Sequence, residues 1–157
     1  MKVIINGGRN FNLKAAAFEY LDMLHAENPI TLVIEGGAIG ADTIAREWAF
    51  TRKIKFITYH AQWNKYGRAA GHRRNQEMVD LSPDLVITFP GGKGTEDLVN
   101  RAKQKKLKII RVEEHFTLTE LPEKTLPLSP PAHTSRAGQN VDKNNKKGKK
   151  NAKKNQN

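Results

Sequence analysis

The sequence predicts an α/β protein whose mostly parallel, five-stranded sheet lies between two layers of helices. Two observations predict this class. Short runs rich in Val and Ile alternate with longer segments of helical periodicity, and three of these runs end in a glycine pair. Continuous apolar runs are typical of strands buried on both faces, and their alternation with helices indicates βαβ units around a parallel sheet.

The elements are expected in alternation along the chain. Strands are expected at residues 2–6, 31–35, 54–59, 84–89 and 108–112. Helices are expected at residues 13–26, 41–52, 73–81 and 95–105, with Asn12 as a plausible N-cap and an irregular stretch at residues 60–71. Helical spacing marks the core residues Ala17, Leu21, Leu24, Ile44, Trp48 and Ala49. This arrangement is that of a Rossmann-like three-layer sandwich.

The composition changes after the predicted sheet. We expect a folded domain over residues 1–116 and, over residues 117–157, a Pro-rich linker and a disordered basic tail. Residues 117–157 hold nine Lys and Arg against three Asp and Glu, a net +6 of the formal +11. A segment this polar cannot bury enough apolar area to offset the entropy lost on ordering. Its lysines could contact nucleic-acid phosphates weakly, or serve only as a solubilising terminus.

The composition also excludes several classes of protein. Because the chain has no Cys, it cannot be a disulfide scaffold or hold a cysteine-based metal or redox site. No apolar run approaches the roughly 20 residues that cross a bilayer, and the N-terminal sequence lacks the apolar core of a signal peptide. We therefore expect a cytoplasmic protein without membrane contact. Neither a metal nor a cofactor is expected.

The glycine pairs should lie at one edge of the sheet, after the first, second and fourth strands. Ligands of parallel sheets bind at this edge, where glycine lets backbone N–H groups approach and the next helix presents its positive dipole end. One pair alone is more often a tight turn, but three pairs favour a phosphate-binding site. The candidate ligand-binding residues are Gly7, Gly8, Arg9, Gly36, Gly37, Pro90, Gly91, Gly92, Gly94 and Thr95. No dinucleotide fingerprint or Walker lysine is present, so an ordinary NAD enzyme or P-loop NTPase is not expected.

Further polar candidates lie in the connecting segment, residues 60–78, which should cross above this edge. Trp63 and Tyr66 could stack on a nucleobase. Arg68, Arg73 and Arg74 could pair with phosphate or carboxylate oxygens. The alternative is that both rings pack over the sheet edge while the arginines are solvated.

Four sequence blocks together carry a family resemblance. They are GGR at 7–9, GGAIGAD at 36–42, the block W-x-x-Y-G…AG-x-x-RN-x-x-M at 63–78, and FPGGKGT at 89–95. This set resembles the SLOG superfamily, and within it the YspA-related branch, a domain of unknown function. The resemblance covers roughly residues 1–113. It implies a Rossmannoid domain that binds nucleotides or nucleotide-derived signals, and assembly into a dimer or tetramer.

The superfamily also contains the LOG phosphoribohydrolases, which cleave the N-glycosidic bond of a nucleoside monophosphate, and DprA, a single-strand DNA-binding protein. Arg74 and Met78 match the LOG pattern R-K-x-x-M, and residues 90–95 match its phosphate loop. Leu98 stands where that pattern has a glutamate, and leucine can neither stabilise positive charge on the ribose nor activate water. Arg74 with Glu96 or Asp97 would be the catalytic residues if the chain is such an enzyme.

The sequence leaves three functions open. The first is a module that senses or sequesters a nucleotide-derived ligand, held by the glycine loops with Arg74 and Asn75. The alternatives are N-glycosidic hydrolysis of a nucleoside 5′-monophosphate and non-specific binding of nucleic acid. Asp42, at the start of the second predicted helix, is either a partner of a ribose hydroxyl or a helix N-cap.

Overall fold

The computed structural model describes residues 1–112, and its elements follow the predicted order. The strands are β1 (Lys2–Asn6), β2 (Leu32–Glu35), β3 (Lys55–Thr58), β4 (Leu85–Thr88) and β5 (Ile109–Arg111). The helices are α1 (Lys14–Glu27), α2 (Ala41–Thr51), α3 (Trp63–Tyr66), α4 (Ala70–Asp80) and α5 (Lys93–Gln104), with a 3₁₀ turn at Gly67–Ala69.

The sheet is parallel throughout, with the strand order β3-β2-β1-β4-β5. β1 is central, and its Val3 is paired with Val33 on one side and Leu85 on the other. The chain first moves outward from β1 to β3 and then crosses to β4, so the strand order reverses between β1 and β4. Loops that follow two such strands diverge and leave a crevice for a ligand. The predicted Rossmann-like α/β class is confirmed.

A hydrophobic core lies on each face of the sheet. α1 and α2 cover one face, and the six core residues predicted for these helices are all buried there. α4 and α5 cover the other face, where Met78 and Leu98 pack with Ile4, Ile34 and Val86. Strands β1 and β4 are thus covered on both faces, and the loops that follow them begin from the centre of the sheet.

The predicted burial of every strand on both faces is wrong at β3. Phe56 is 37% exposed and Ile57 40% exposed. β3 is the last strand on its side of the sheet, so it has only β2 as a neighbour. Its sequence resembles that of a central strand, and only its position at the edge leaves these side chains in contact with solvent.

Two local predictions on helices are also wrong. Asn12 is not an N-cap, because α1 begins at Lys14 and Leu13 occupies the cap position without a side-chain hydrogen bond. The stretch 60–71 is not irregular, since it contains α3, the 3₁₀ turn and the first residues of α4. α3 has four residues, too few to show helical periodicity. Gly67, with φ of +53°, ends α3 and is the first residue of the 3₁₀ turn.

The predicted linker and basic tail, residues 117–157, lie outside the described residues, as do residues 113–116 of the predicted domain. The weak contact with nucleic acid that was expected of the tail lies there too. Among residues 1–112, no helix is long and apolar enough to cross a membrane.

Candidate functional site

A cleft of about 920 Å³ opens at the carboxyl edge of the sheet, above the point where the strand order reverses. It brings together most of the residues that the sequence predicted for ligand binding. Those that line it are Gly7, Gly8, Arg9, Gly36, Asp42, Trp63, Arg74, Asn75, Pro90, Gly91, Gly92, Gly94 and Thr95. Five predicted residues do not line it, namely Gly37, Tyr66, Arg73, Glu96 and Asp97.

The glycine loops after β1 and β4 pack directly against each other. The Gly8 amide donates to the Pro90 carbonyl at 2.8 Å. A Cβ on Gly8 would lie 2.9 Å from the Gly91 Cα, and a Cβ on Gly91 would lie 2.6 Å from the Gly8 nitrogen. Glycine at these two positions therefore allows the two loops to approach each other closely. This packing alone explains why glycine is present there, without a ligand.

The loop after β2 packs against the β1 loop through Gly40. This residue has φ of +82°, and a Cβ on it would lie 2.5 Å from the Arg9 carbonyl oxygen. The next residue, Ala41, donates its amide to the Gly8 carbonyl at 3.2 Å. The start of α2 is thus attached to the β1 loop, and the three loops form one continuous floor for the cleft.

Gly92 and Gly94 differ from the other glycines of the floor. A Cβ on either residue would meet no atom within 4 Å. Gly92 caps α5, and no side chain hydrogen-bonds this cap. The first intrahelical bond runs from the Glu96 amide to the Gly92 carbonyl. Helix geometry therefore leaves the amides of Lys93, Gly94 and Thr95 without an intrahelical acceptor, at the positive end of the helix dipole.

The amides of the β2 loop, in contrast, already have acceptors within the chain. The Gly37 amide donates to Glu35 Oε2 at 2.6 Å, and the Ala38 amide donates to Asp42 Oδ2 at 3.2 Å. Glu35 is fully buried and also accepts a hydrogen bond from the Thr58 hydroxyl. This loop presents carboxylates where the sequence predicted a phosphate contact at Gly36 and Gly37.

Arg74, on α4, reaches the β2 loop. Its Nη1 donates to the Gly36 carbonyl, and its Nε donates to Asn75 Oδ1 at 3.0 Å. A Cβ on Gly36 would lie 2.7 Å from the Arg74 Cζ, so glycine at this position makes room for the guanidinium. Burial lowers the pKa of Arg74, and the charge of Asp42 opposes this shift. Arg74 is thus a partly buried cation held at the cleft wall.

Asn75 joins α4 to the first turn of α5. Its Nδ2 donates to the Gly94 carbonyl at 3.2 Å and to Asp97 Oδ2 at 2.9 Å. Asp97 is also paired with Arg101 and with His72 Nδ1, both at 2.9 Å. Partial burial acts to raise the pKa of Asp97. The hydrogen bonds from Arg101, Asn75 and His72 outweigh this effect, so the pKa lies below its usual value. Asp97 is a charged anchor for the start of α5 and does not reach the cleft.

Glu96 points away from the cleft. It forms a bidentate pair with Arg111 on β5, with N–O distances of 2.7 and 2.9 Å. This pairing lowers the pKa of Glu96. Neither carboxylate proposed for catalysis therefore lines the cleft, whereas Leu98 does line it and is buried.

Of the two aromatic residues predicted to stack on a base, only Trp63 lines the cleft, and it is 50% exposed. Tyr66 is covered by Arg73, whose Cζ lies 4.0 Å from the ring centroid. Hydrogen bonding to Lys65 lowers the pKa of Tyr66. Arg68 lines the cleft and Arg73 does not. Trp63 and Arg68 therefore line the cleft, whereas Tyr66 and Arg73 interact with each other and do not line it.

Asp42 lies in the first turn of α2 and is 6% exposed. It is not the N-cap, which is Gly40. Burial raises the pKa of Asp42 to about 6, although the Ala38 amide and the charge of Arg74 both lower it. A buried acid with a perturbed pKa in a cleft is a candidate for a functional role.

The raised pKa of Asp42 has a measurable effect on stability. The folded protein holds this proton more tightly than the unfolded chain, whose pKa is near 3.8. The contribution of Asp42 to the free energy of unfolding therefore falls as pH rises from about 4 to about 6, by up to roughly 3 kcal/mol. Asp42→Asn should raise the free energy of unfolding by about 1–2 kcal/mol at pH 7.5 and change it little at pH 4. Urea denaturation at both pH values tests this, with Glu96→Gln as a control that should not stabilise the protein at pH 7.5.

Several cleft residues were missed by the sequence analysis. Asn6 ends β1, accepts the Thr88 hydroxyl at 2.8 Å and donates to the Thr95 carbonyl at 3.4 Å. Phe11 stacks on Phe89 with ring centroids 4.8 Å apart. The other missed lining residues are Asn10, Asn12, Leu13, Ala38, Gly71, His72, Met78, Lys93 and Leu98. An asparagine that ends an apolar strand just before a glycine pair was the available signal for Asn6.

Comparison with known proteins gives three similarities. The model of the YspA, cpYpsA-related SLOG family matches residues 1–66. The chain is similar to the Gene 61 protein of Mycobacterium phage D29, with 32% identity over 117 residues that cover 69% of this chain and 94% of that protein. Its fold is similar to DNA processing protein A (DprA) from Streptococcus pneumoniae, with 17% identity, a TM-score of 0.40 and coverage of 69% of this chain. The match spans 58% of the DprA chain, and no inference on function follows from it.

Proposed function

Because the chain belongs to the YspA, cpYpsA-related SLOG family, we propose that its cleft binds a nucleotide or a nucleotide-derived ligand through a phosphate group. We propose a sensing or sequestering module rather than an enzyme. The observation that carries the proposal is the N-terminus of α5, which no side chain caps and which opens into a cleft also lined by Arg9, Arg68 and Arg74.

The phosphate is assigned to the first turn of α5. Three consecutive amides, those of Lys93, Gly94 and Thr95, lack intrahelical acceptors there, and the helix dipole favours an anion. Gly92 and Gly94 leave this turn open to a ligand, since no atom lies within 4 Å of the position a Cβ would take. The Lys93 side chain also lines the cleft and adds positive charge.

The remainder of the ligand is assigned to the rest of the cleft. Trp63 offers a half-exposed ring for stacking on a base. Arg9, Arg68 and Arg74 line the walls, so additional phosphates or other acidic groups would find cationic partners. The cleft volume of about 920 Å³ lies toward the upper end of the range of 300–1,000 Å³ that is usual for small-molecule sites.

Hydrolysis of the glycosidic bond by Glu96 or Asp97, the two carboxylates that the sequence offered for catalysis, is disfavoured by where they lie. Glu96 is paired with Arg111 and Asp97 with Arg101, and neither lines the cleft. Leu98 contributes an apolar surface to the cleft wall at the position where the LOG pattern has its glutamate. A reaction that develops positive charge on the ribose needs a carboxylate beneath it.

The test is to titrate the purified protein with nucleoside mono- and diphosphates by calorimetry and to assay the same mixtures for free base. We expect saturable binding of at least one nucleotide and no release of base over several hours at high protein concentration. Release of base that disappears in Arg74→Ala would contradict the binding module and establish the hydrolase.

A further inference from the structure

We propose that Asp42 forms a second subsite of the cleft, which recognises the hydroxyl groups of a ribose and makes the protein selective for ribonucleotides over deoxyribonucleotides. This inference rests on the proposed function. It adds a residue for the sugar of the ligand, for which the phosphate site at α5 offers no partner.

Asp42 is the one carboxylate among the described residues that line the cleft. An acid is unfavourable in a site for phosphate, because the two negative charges repel each other. Asp42 is also unfavourable for stability, because a charged carboxylate is buried there and the residue is only 6% exposed. An arrangement that is costly in both respects is explained if the ligand brings a hydrogen-bond donor to this carboxylate.

The neighbouring charges specify what kind of donor this is. Arg74 contributes an attractive electrostatic interaction to Asp42, so its guanidinium is close enough to disfavour a cationic group on the ligand. The Ala38 amide already donates to Oδ2, the Gly36 amide also hydrogen-bonds this carboxylate, and the two amides hold it in place. A neutral donor remains, and the hydroxyl groups of a ribose are the neutral donors that lie nearest the phosphate in a nucleotide.

The topology places Asp42 at a suitable separation from the phosphate site. Asp42 follows β2 and the first turn of α5 follows β4, with β1 between these two strands. Two spacings between neighbouring strands correspond to about 10 Å, which is the scale of a single nucleotide. The phosphate at α5 and the sugar at α2 can therefore belong to the same ligand.

The experiment compares matched pairs of ligands. Each ribonucleoside mono- and diphosphate is titrated into the wild-type protein beside its 2′-deoxy and 3′-deoxy counterparts. We expect the ribonucleotide to bind about 10- to 100-fold more tightly than at least one deoxy form, because the deoxy form loses the hydrogen bond between a ligand hydroxyl and the buried carboxylate.

Asp42→Asn should reduce the ratio of ribonucleotide to deoxyribonucleotide affinity to a few-fold or less, mainly because it weakens the binding of the ribonucleotide. Glu96→Gln, which removes a carboxylate from the first turn of α5 outside the cleft, should leave the ratio unchanged. Equal affinity of the wild type for ribo and deoxy forms would overturn the inference and leave the proposed function standing. The inference would also be overturned if Asp42→Asn weakened both forms by the same factor. Failure of every nucleotide to bind would instead contradict the proposed function itself.

Discussion

Gly94→Glu is expected to weaken nucleotide binding by about 100- to 1,000-fold while leaving the protein folded. The new carboxylate would enter open space, because a Cβ on Gly94 meets no atom within 4 Å. It would stand beside the amides that we assign to the phosphate. Two unit charges 4 Å apart repel each other by about 4 kcal/mol at an effective dielectric constant of 20, which corresponds to roughly a thousand-fold in affinity.

The fold should tolerate this change because the substitution lies in the first turn of α5. An acidic residue there is favoured by the helix dipole, and replacement of glycine removes an entropic cost of folding of about 0.5–1 kcal/mol. Gly94→Gln is the matched control, since it adds nearly the same volume without the charge. It should retain most of the affinity, as measured by calorimetry with the nucleotides that bind the wild type. Equal losses in both variants would show that bulk, rather than charge, governs binding at this turn.

The adjacent glycines Gly91 and Gly92 should differ strongly in how much substitution by alanine destabilises the protein. A Cβ on Gly91 would lie 2.6 Å from the Gly8 nitrogen and 2.9 Å from the Thr95 Cβ, and Thr95 is itself buried. Gly91→Ala should therefore force the β1 and β4 loops apart and lower the free energy of unfolding by about 2–4 kcal/mol. Gly92 has φ of −106° and open space around its Cβ position. Gly92→Ala should change the free energy of unfolding by no more than about 0.5 kcal/mol.

Urea denaturation of the two variants beside the wild type measures this difference. The comparison is internal, since both variants add one methyl group to neighbouring residues of the same loop. Similar destabilisation by the two variants would mean that the loops are not packed as described. A stable Gly91→Ala protein would lead to the same conclusion.

The order of the elements could be predicted from the sequence because periodicity over several residues is a strong signal. The run of Val and Ile in β4 and the helical spacing of Ala17, Leu21 and Leu24 both gave correct elements. The exposure of Phe56 and Ile57 could not be predicted in this way. Whether an apolar strand is central or at the edge depends on the strand order, which no local pattern contains.

The position of the cleft could be predicted, but not the packing of each glycine. All three glycine pairs look alike in the sequence, yet Gly8 and Gly91 pack against each other while Gly92 faces open space. The amides of the β2 loop are occupied by Glu35 and Asp42, which depends on side-chain directions that the sequence does not specify. Glu35 was a usable signal, because an acidic residue at the end of an apolar strand needs partners when it is buried.

The most direct test of the phosphate site compares nucleotides with the corresponding nucleosides that lack phosphate. Calorimetric titration of the wild-type protein with each pair isolates the contribution of the phosphate at α5. We predict that at least one nucleoside mono- or diphosphate binds at one site per chain, and that its nucleoside binds at least 100-fold more weakly. Equal affinity for the nucleotide and its nucleoside would contradict the assignment of the phosphate to Lys93, Gly94 and Thr95, as would the absence of any nucleotide binding.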